Sequence, residues 1–509
     1  MRPATLLLLL ALFASPARGG APVAWTTEEN VSSTPTDTET GLNHRPLAVT
    51  ADGVLHAAWA ERDSPNEQYR IWTRRLGASG WSAAELIVDY PATDPGDPGD
   101  DIGAKYPALC ATPDGDLHLF WHDYRVAGIA NVEIFTKTLP SGGAWDSSRA
   151  ADVRLTTTDH AEVLGDNGYV PVPVAASDGA LHVVWWDYRF EGDHAEILAK
   201  TRPAGGQWNL TPGDSADVRV TADADHSELP AVAADAAGRV HAAWRSVGAG
   251  ASILYAERDP GGAWSAPLDI DLGGLVQGAP ALAIDGSGTV HVAWPDARSG
   301  GRALYTRARA SGVWAPAVER ITSPAHGADE PSLAGDEDGA LHLVWSDARH
   351  GFFDREIFYR TKLLGAPWDT AAASDFRVSN ADSNSTRPSV VAHGAIVTIA
   401  WKDERGGNHD LWIRRGGPSG TGAPPAAPEA PAWLAFPNPT RGAVRLLRPP
   451  DASSDLVVLD VAGRAVRRLS GSGEVAWDGR DARGAPVPAG VYFVREAASR
   501  RAIRLTVLR

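Results

Sequence analysis

Residues Asp338–Lys362 read DGALHLVWSDARHGFFDREIFYRTK, and the fold follows from how this stretch is repeated. An Asp338-Gly339 turn leads into an apolar run ending in His342-x-x-Trp345, then a polar Asp347-x-Arg349, then a second apolar run through Ile357 and Tyr359. The His-x-x-Trp pair returns at His56/Trp59, His118/Trp121, His182/Trp185, His241/Trp244 and His291/Trp294, and a seventh copy keeps Trp401 with Thr398 in place of the histidine. Successive tryptophans lie 50 to 64 residues apart. A period of that size marks a repeat architecture.

Each copy divides into four short strand-like runs. In the fourth copy these are Ala231–Asp235, Arg239–Trp244, Ser252–Arg258 and Trp264–Ile270, separated by turn-forming Gly, Ala and Pro segments. No helical period competes with them. Repeated four-stranded units predict an all-β fold, a β-propeller whose blades surround a central channel. The seventh copy lacks a fourth strand, and Val23–Val31 (VAWTTEENV) has the character of the missing one. A seven-bladed β-propeller closed by its N-terminal strand is therefore expected over 20–415. Seven tryptophans at the end of second strands (Trp59, Trp121, Trp185, Trp244, Trp294, Trp345, Trp401) and seven opening fourth strands (Trp25, Trp81, Trp145, Trp208, Trp264, Trp314, Trp368) are assigned to packing between blades.

The ends of the chain differ in character. Arg2 followed by the apolar Thr5–Ala14 and the small residues around Ala17-Arg18-Gly19 has the form of a signal peptide spanning 1–19, with cleavage near Gly19/Gly20. Export to the medium or the cell surface is expected, and no later run is long enough for a membrane helix. Residues 416–431 (GGPSGTGAPPAAPEAP) read as a Pro/Gly/Ala linker. From Ala432 to Arg509, six candidate strands predict a small β-sandwich. This tail holds 13 Arg, no Lys and 7 acidic residues, a net +6, against -16 for the whole chain; the remainder carries -22. So acidic a body excludes a nucleic-acid footprint. The single cysteine, Cys110, has no partner for an internal disulfide and sits in an apolar run that suits burial.

The Asp-Gly turn, the apolar run to Trp, the Trp-x-Asp-x-Arg and the Gly-x-Trp turn (Gly262-Ala263-Trp264) resemble the sialidase-like superfamily of BNR, or Asp-box, repeat proteins over roughly 21–415. That resemblance implies a propeller and, in its catalytic members, glycoside hydrolysis by an arginine triad, a tyrosine nucleophile and an aspartate. The counterpart of the Asp box here is Ser141-Gly142-Gly143-Ala144-Trp145, without its aspartate, and that of the Arg-Ile-Pro motif is Arg70-Ile71-Trp72, without its proline. In the tail, Phe436-Pro437-Asn438-Pro439-Thr440, the run Val458–Arg464 and Trp477-Asp478-Gly479-Arg480-Asp481 with Pro488–Phe493 are similar to FlgD-type Ig-like domains and to the C-terminal sorting domains of type IX secretion cargo. This implies that the secretion machinery is a partner of the tail.

Propeller topology gathers the loops between second and third strands on one face. The pairs Asp123/Arg125, Asp187/Arg189, Asp296/Arg298, Asp347/Arg349 and Asp403/Arg405 fall there, and their repetition reads first as loop bracing. Tyr124, Trp186, Tyr188, Phe190, Phe352 and Phe353 are not required by the repeat, and aromatic rings beside fixed charges suit sugar rings and their hydroxyls. The ligand-binding candidates are thus Tyr106, Asp123, Tyr124, Arg125, Tyr169, Asp187, Tyr188, Arg189, Asp347, Arg349, Phe352, Phe353, Asp403 and Arg405. The acidic loop Asp89–Asp101 has oxygen ligands that suit calcium but lacks Asp-x-Asp-x-Asp-Gly spacing, so no cofactor or metal is expected. The six strand histidines, one per copy, read as buried hydrogen-bonders. The functional expectation is a secreted or surface-held propeller that recognises glycans or other extracellular polymers. The alternatives are a sialidase-like hydrolase working near Tyr106 or Tyr169, and a scaffold for protein partners.

Overall fold

The computed structural model describes residues 24–32, 38–39, 45–62, 69–77, 79–89, 103–123, 132–157, 170–190, 194–211, 217–222, 224–351, 354–381, 383–405, 407–417, 434–436, 443–447, 456–460, 464–470, 474–496 and 502–508. The leader at 1–19, most of the acidic loop, Tyr124, Arg125, Tyr169, Phe352 and Phe353 lie outside them. The chain divides into two compact units, 1–425 and 426–509.

The first unit is all-β. Among the described residues it contains seven antiparallel sheets of four to six strands and no α-helix. The second strand of each sheet is Leu55–Glu61, Leu117–Asp123, Leu181–Asp187, Val240–Val247, Val290–Asp296, Leu341–Asp347 or Ile396–Asp403. These strands are buried on both faces, which explains their near-continuous apolar character. First strands touch in succession: Leu47–Val49, Ala104–Ala111, Val172–Ala175, His226–Ala234, Ala281–Ile284, Asp329–Gly335 and Ser385–His393, the last of which touches the first again. Sheets of this kind arranged around a centre are propeller-like.

The second-strand tryptophans are the wedges between sheets. All seven are fully buried, each against the sheet that precedes it. Trp345 packs with Ala293 and Leu304, Trp401 with Val344 and Ile357, and Trp59 with Ala400 and Leu411 of the last sheet. Burying a ring of this size contributes about 2–3 kcal/mol.

Fourth strands are shorter than the sequence suggests. In the fourth sheet only Leu268–Asp269 forms a strand, and Trp264 makes one isolated bridge to Arg258. Pro267 has no N–H to give to a ladder, which interrupts the expected run.

The N-terminal segment joins the last sheet. Glu29 and Asn30 pair antiparallel with Ile413 and Trp412, and the Thr26 N–H donates to the Arg415 carbonyl at 2.7 Å. Trp25 stacks on Phe376 (4.8 Å) and meets Tyr359 edge-on (5.2 Å). Gly416 makes room for it, since a Cβ there would lie 2.4 Å from the indole.

The second unit has two sheets sharing one core. Leu434–Phe436, Val444–Leu447 and Glu474–Trp477 form one; Ala465–Leu469, Leu456–Asp460, Gly490–Glu496 and Ala502–Val507 form the other. Trp477 and Tyr492 meet edge-on at 5.6 Å between Val444, Val458 and Leu505. The strand Leu434–Phe436 was not among the expected six, being a three-residue run just after the linker.

Deleting Ala21–Ser33 exposes the third strand of the last sheet and removes Trp25 from its socket. The melting temperature should fall by about 5 °C or more, and Gly416→Val should reproduce part of the loss; an unchanged melting curve would exclude a structural role for the N-terminal strand.

Candidate functional site

The repeated Trp-x-Asp-x-Arg is a closed unit. In the sixth sheet Trp345 Nε1 donates to Asp347 Oδ2 at 2.9 Å, and Asp347 accepts from the Arg349 backbone N–H at 2.9 Å. The Arg349 guanidinium folds back to the same carboxylate and on to Asp375, both at 2.7 Å, and lies 3.8 Å from the centre of the Phe358 ring. Burial, the largest influence, pulls Arg349 down, but Asp347 and Asp375 together hold it above its ordinary value. Arg189 does the same with Asp187 and Asp217, and Arg405 with Asp403 and Glu28. Asp123 accepts from Trp121 Nε1 at 2.9 Å. Asp123, Asp187, Asp347 and Asp403 are all fully buried. The arginines turn into their own sheets, so these pairs pin each loop to its tryptophan and present no carboxylate to an open face.

A second repeated brace is shared by the second, third and sixth sheets. Glu133, Glu196 and Glu356 open the third strands and accept from Thr156, Thr221 and Ser379, each two residues past the fourth strand. Arg154, Arg219 and Arg377 pair with the same carboxylates. Four residues further along those third strands, Lys137, Lys200 and Arg360 pair with Asp152, Asp217 and Asp375. The sequence carries this signal as Glu-Ile-x-x-Lys/Arg-Thr, followed by Asp-x-Arg-x-Ser/Thr.

The fourth sheet abandons the first brace. Its Trp244 is followed by Arg245-Ser246, with no acid at the usual position, and Trp244 Nε1 has no partner among the described residues. Arg245 instead donates to Glu228 at 2.6 Å. Glu228 accepts from His226 Nε2 at 3.2 Å, and Tyr188 Oη lies 3.4 Å from that nitrogen. The Ala195 backbone N–H donates to His226 Nδ1 at 3.1 Å. This bond makes Nδ1 the acceptor and places the ring proton on Nε2, facing Glu228 and the tyrosine. Trp186 meets His226 edge-on at 6.1 Å. Burial and then Glu228 raise the Tyr188 phenol above its ordinary pKa. A half-buried acid, imidazole, phenol and guanidinium are thus linked where the architecture's own rule is broken, which is where functional sites are expected.

A proline-linked ring lies at the same end of the sheets. Each first strand has an X-Pro pair just before it or within its first few residues: Arg45-Pro46, Tyr106-Pro107, Val170-Pro171, Leu229-Pro230, Ala279-Pro280, Glu330-Pro331 and Arg387-Pro388. Proline cannot continue the ladder and bars its predecessor from right-handed helical angles. Tyr106, Leu229, Glu330 and Arg387 respond with left-handed backbones, φ 51, 54, 52 and 53°. Each sits at a break in strand register. Bulges of this kind re-aim side chains, at a cost of order 1–3 kcal/mol for each left-handed residue.

A central cavity of about 530 Å³ is lined by all seven first strands, including Arg45, Glu330 and Arg387. Burial raises the Glu330 carboxyl above its ordinary pKa, against the Arg387 backbone N–H that it accepts at 2.8 Å.

Of the sequence candidates, Tyr188 belongs to the fourth-sheet network and Tyr106 to the pre-proline ring, where it meets His122 at 4.6 Å. The pairs Asp187/Arg189, Asp347/Arg349 and Asp403/Arg405 lie apart, inside their sheets. Sequence reasoning missed His226, Glu228, Arg245, Arg45, Glu330 and Arg387. The recurrent X-Pro and the loss of Asp after Trp244 were the available signals.

No protein-family model matches the chain, and no curated protein sequence does. Solved structures resemble it at low identity. The polysaccharide lyase Uly1 is 10% identical with a TM-score of 0.49, over 77% of this chain and 99% of that one. A leech intramolecular trans-sialidase complexed with 2,7-anhydro-Neu5Ac is 12% identical with a TM-score of 0.42, over 77% and 70%. An α-L-arabinanase of Penicillium chrysogenum is 12% identical with a TM-score of 0.39, over 77% and 98%. These likenesses concern the fold and assign no residue a role.

Two predictions follow from the braces and the histidines. Asp347→Ala strands Arg349 and the Trp345 N–H in a buried site and should cost about 3–5 kcal/mol in denaturant melts. His56, His118 and His182 are held down at about 4 by burial, against an ordinary 6.5. Between those values the unfolded chain binds protons that the folded one refuses, so stability should fall as pH drops from 6.5 to 4. Glu356, raised by burial to about 7 from 4.5, acts in the opposite direction over pH 7 to 4.5. With three histidines against one glutamate the net slope should be a loss on acidification. His118→Gln should make that slope shallower in melting curves taken across the range.

Proposed function

We propose that the chain is an exported seven-bladed β-propeller that recognises glycans on the face bearing the X-Pro ring, joined to an Ig-like C-terminal sorting domain that engages the secretion machinery. The supporting observation is the Tyr188–His226–Glu228–Arg245 network beside Trp186. It offers a ring for the apolar face of a sugar and fixed donors and acceptors for its hydroxyls. The N-terminal strand in the last sheet and the cyclic succession of first strands support the blade count and its closure. The two-sheet second unit supports the Ig-like reading of the tail.

A second reading is turnover, on the same face, by a glycoside hydrolase. It is favoured by the hydrogen-bonded phenol, imidazole and carboxylate, which together provide groups able to donate and accept protons. The buried Glu330, with its raised pKa, is a further acid on this face.

Binding of the full chain to a glycan array, with reducing-end release measured on the same sugars, tests both readings. Binding that Arg245→Gln and Glu228→Gln each weaken by about tenfold or more (about 1.4 kcal/mol), with melting curves unchanged, is the expected outcome. Release of reducing ends abolished by His226→Gln would make the protein an enzyme. Silence in both assays would overturn the glycan reading.

A further inference from the structure

We infer that the central cavity is a binding site for a small oxyanion, held by the Arg45 guanidinium. Arg45 begins the first sheet, yet its side chain crosses to other sheets, where Nη1 donates to the Pro173 carbonyl at 3.0 Å and Nη2 donates to the Val232 carbonyl. Among the described residues no carboxylate pairs with it. Among the described residues the ionisable group that acts on it is the Cys110 thiol, which burial pushes up to about 11 and so keeps protonated.

Leu109, Val172, Val174 and Ala231 form the apolar part of the walls. Other charged groups also line the cavity, Arg387 and His393 among them. Asp285 and Asp336 are bound to His291 and His342, and Glu330 to the Arg387 backbone. A partly buried cation without a carboxylate partner loses hydration, and two neutral carbonyls offset only part of that. Arg45 is nonetheless only half-buried by surface area, because its free edge faces the cavity. A planar guanidinium with N–H groups left over is the donor that oxyanions select, two bonds at a time. The 530 Å³ of space accommodates sulfate, phosphate or a carboxylate with its waters. The inference does not rest on glycan recognition by the Tyr188–His226–Glu228–Arg245 network, which shares no residue with the cavity lining.

The test is the melting temperature of the full chain titrated with inorganic sulfate at constant ionic strength. A saturable rise of about 2 °C or more, absent in Arg45→Met and partly kept in Arg45→Lys, is expected. An equal rise in wild type and Arg45→Met, or no saturation, overturns the site. If Arg45→Met does not fold, alkylation of Cys110, the chain's single cysteine, by iodoacetamide gives a second readout on the wild type. Sulfate should slow it at least fivefold, and an unchanged rate overturns the site. A polyuronate oligosaccharide run in parallel identifies the source of the anion: protection by both means the acid group of a polymer enters, and protection by sulfate alone means a free ion.

Discussion

The hydrogen bond from a buried indole N–H to the carboxylate two residues along is the constraint on which the sheets depend. A tryptophan wedged between sheets must bury its one polar atom, and an unmet donor there costs about 1–3 kcal/mol. Placing Asp at the end of the same strand meets that need, and the carboxylate must then be neutralised in turn. Arg two residues on does so, and the loop that carries it is thereby fixed. The indole–carboxylate bond is made five times with Asp (Trp121, Trp185, Trp294, Trp345, Trp401) and once with Glu61 beside Trp59, and Arg189, Arg298, Arg349 and Arg405 close it.

The fourth sheet is informative because it leaves this need unmet. Its tryptophan keeps the wedge and forgoes the acid, so the loop after Trp244 is short and glycine-rich and Arg245 is released to the outer face. It meets Glu228 on its own first strand, which is linked through His226 to Tyr188 on the neighbouring sheet's loop. Strain at the pre-proline positions follows the same logic: backbones at Glu330 and Arg387 depart from the ordinary in order to aim charges inward.

The fold was legible in the sequence because wedge, turn and strand recur in register, and a pattern seen seven times averages out local accidents. Trp59 through Trp401 and the Asp-Gly turns carried it. The short outer strands were less legible, since proline and single bridges at places such as Pro267 and Trp264 leave little periodicity. The candidate site was legible only at Tyr188. Its partners His226 and Arg245 lie 38 and 57 residues further along the chain, and nothing local announces that they meet. The Asp/Arg pairs were conspicuous for the opposite reason, since repetition marks what every sheet needs. Arg45 was invisible because its role depends on reaching across the ring to carbonyls more than a hundred residues away.

The pairing of Glu29–Asn30 with Trp412–Ile413 also sets an order of events. An early segment completes the last sheet of the first unit, so the circle cannot shut until nearly four hundred further residues are available. Contacts of such separation are slow to form, because the chain must surrender its loop entropy before they reward it. Until then both flanks of the unfinished ring present bare strand edges, the surfaces on which β-rich chains join one another. A chain that is still lengthening therefore has to keep its first strand unpaired throughout, and polar residues such as Glu28, Glu29 and Asn30 keep that waiting segment soluble.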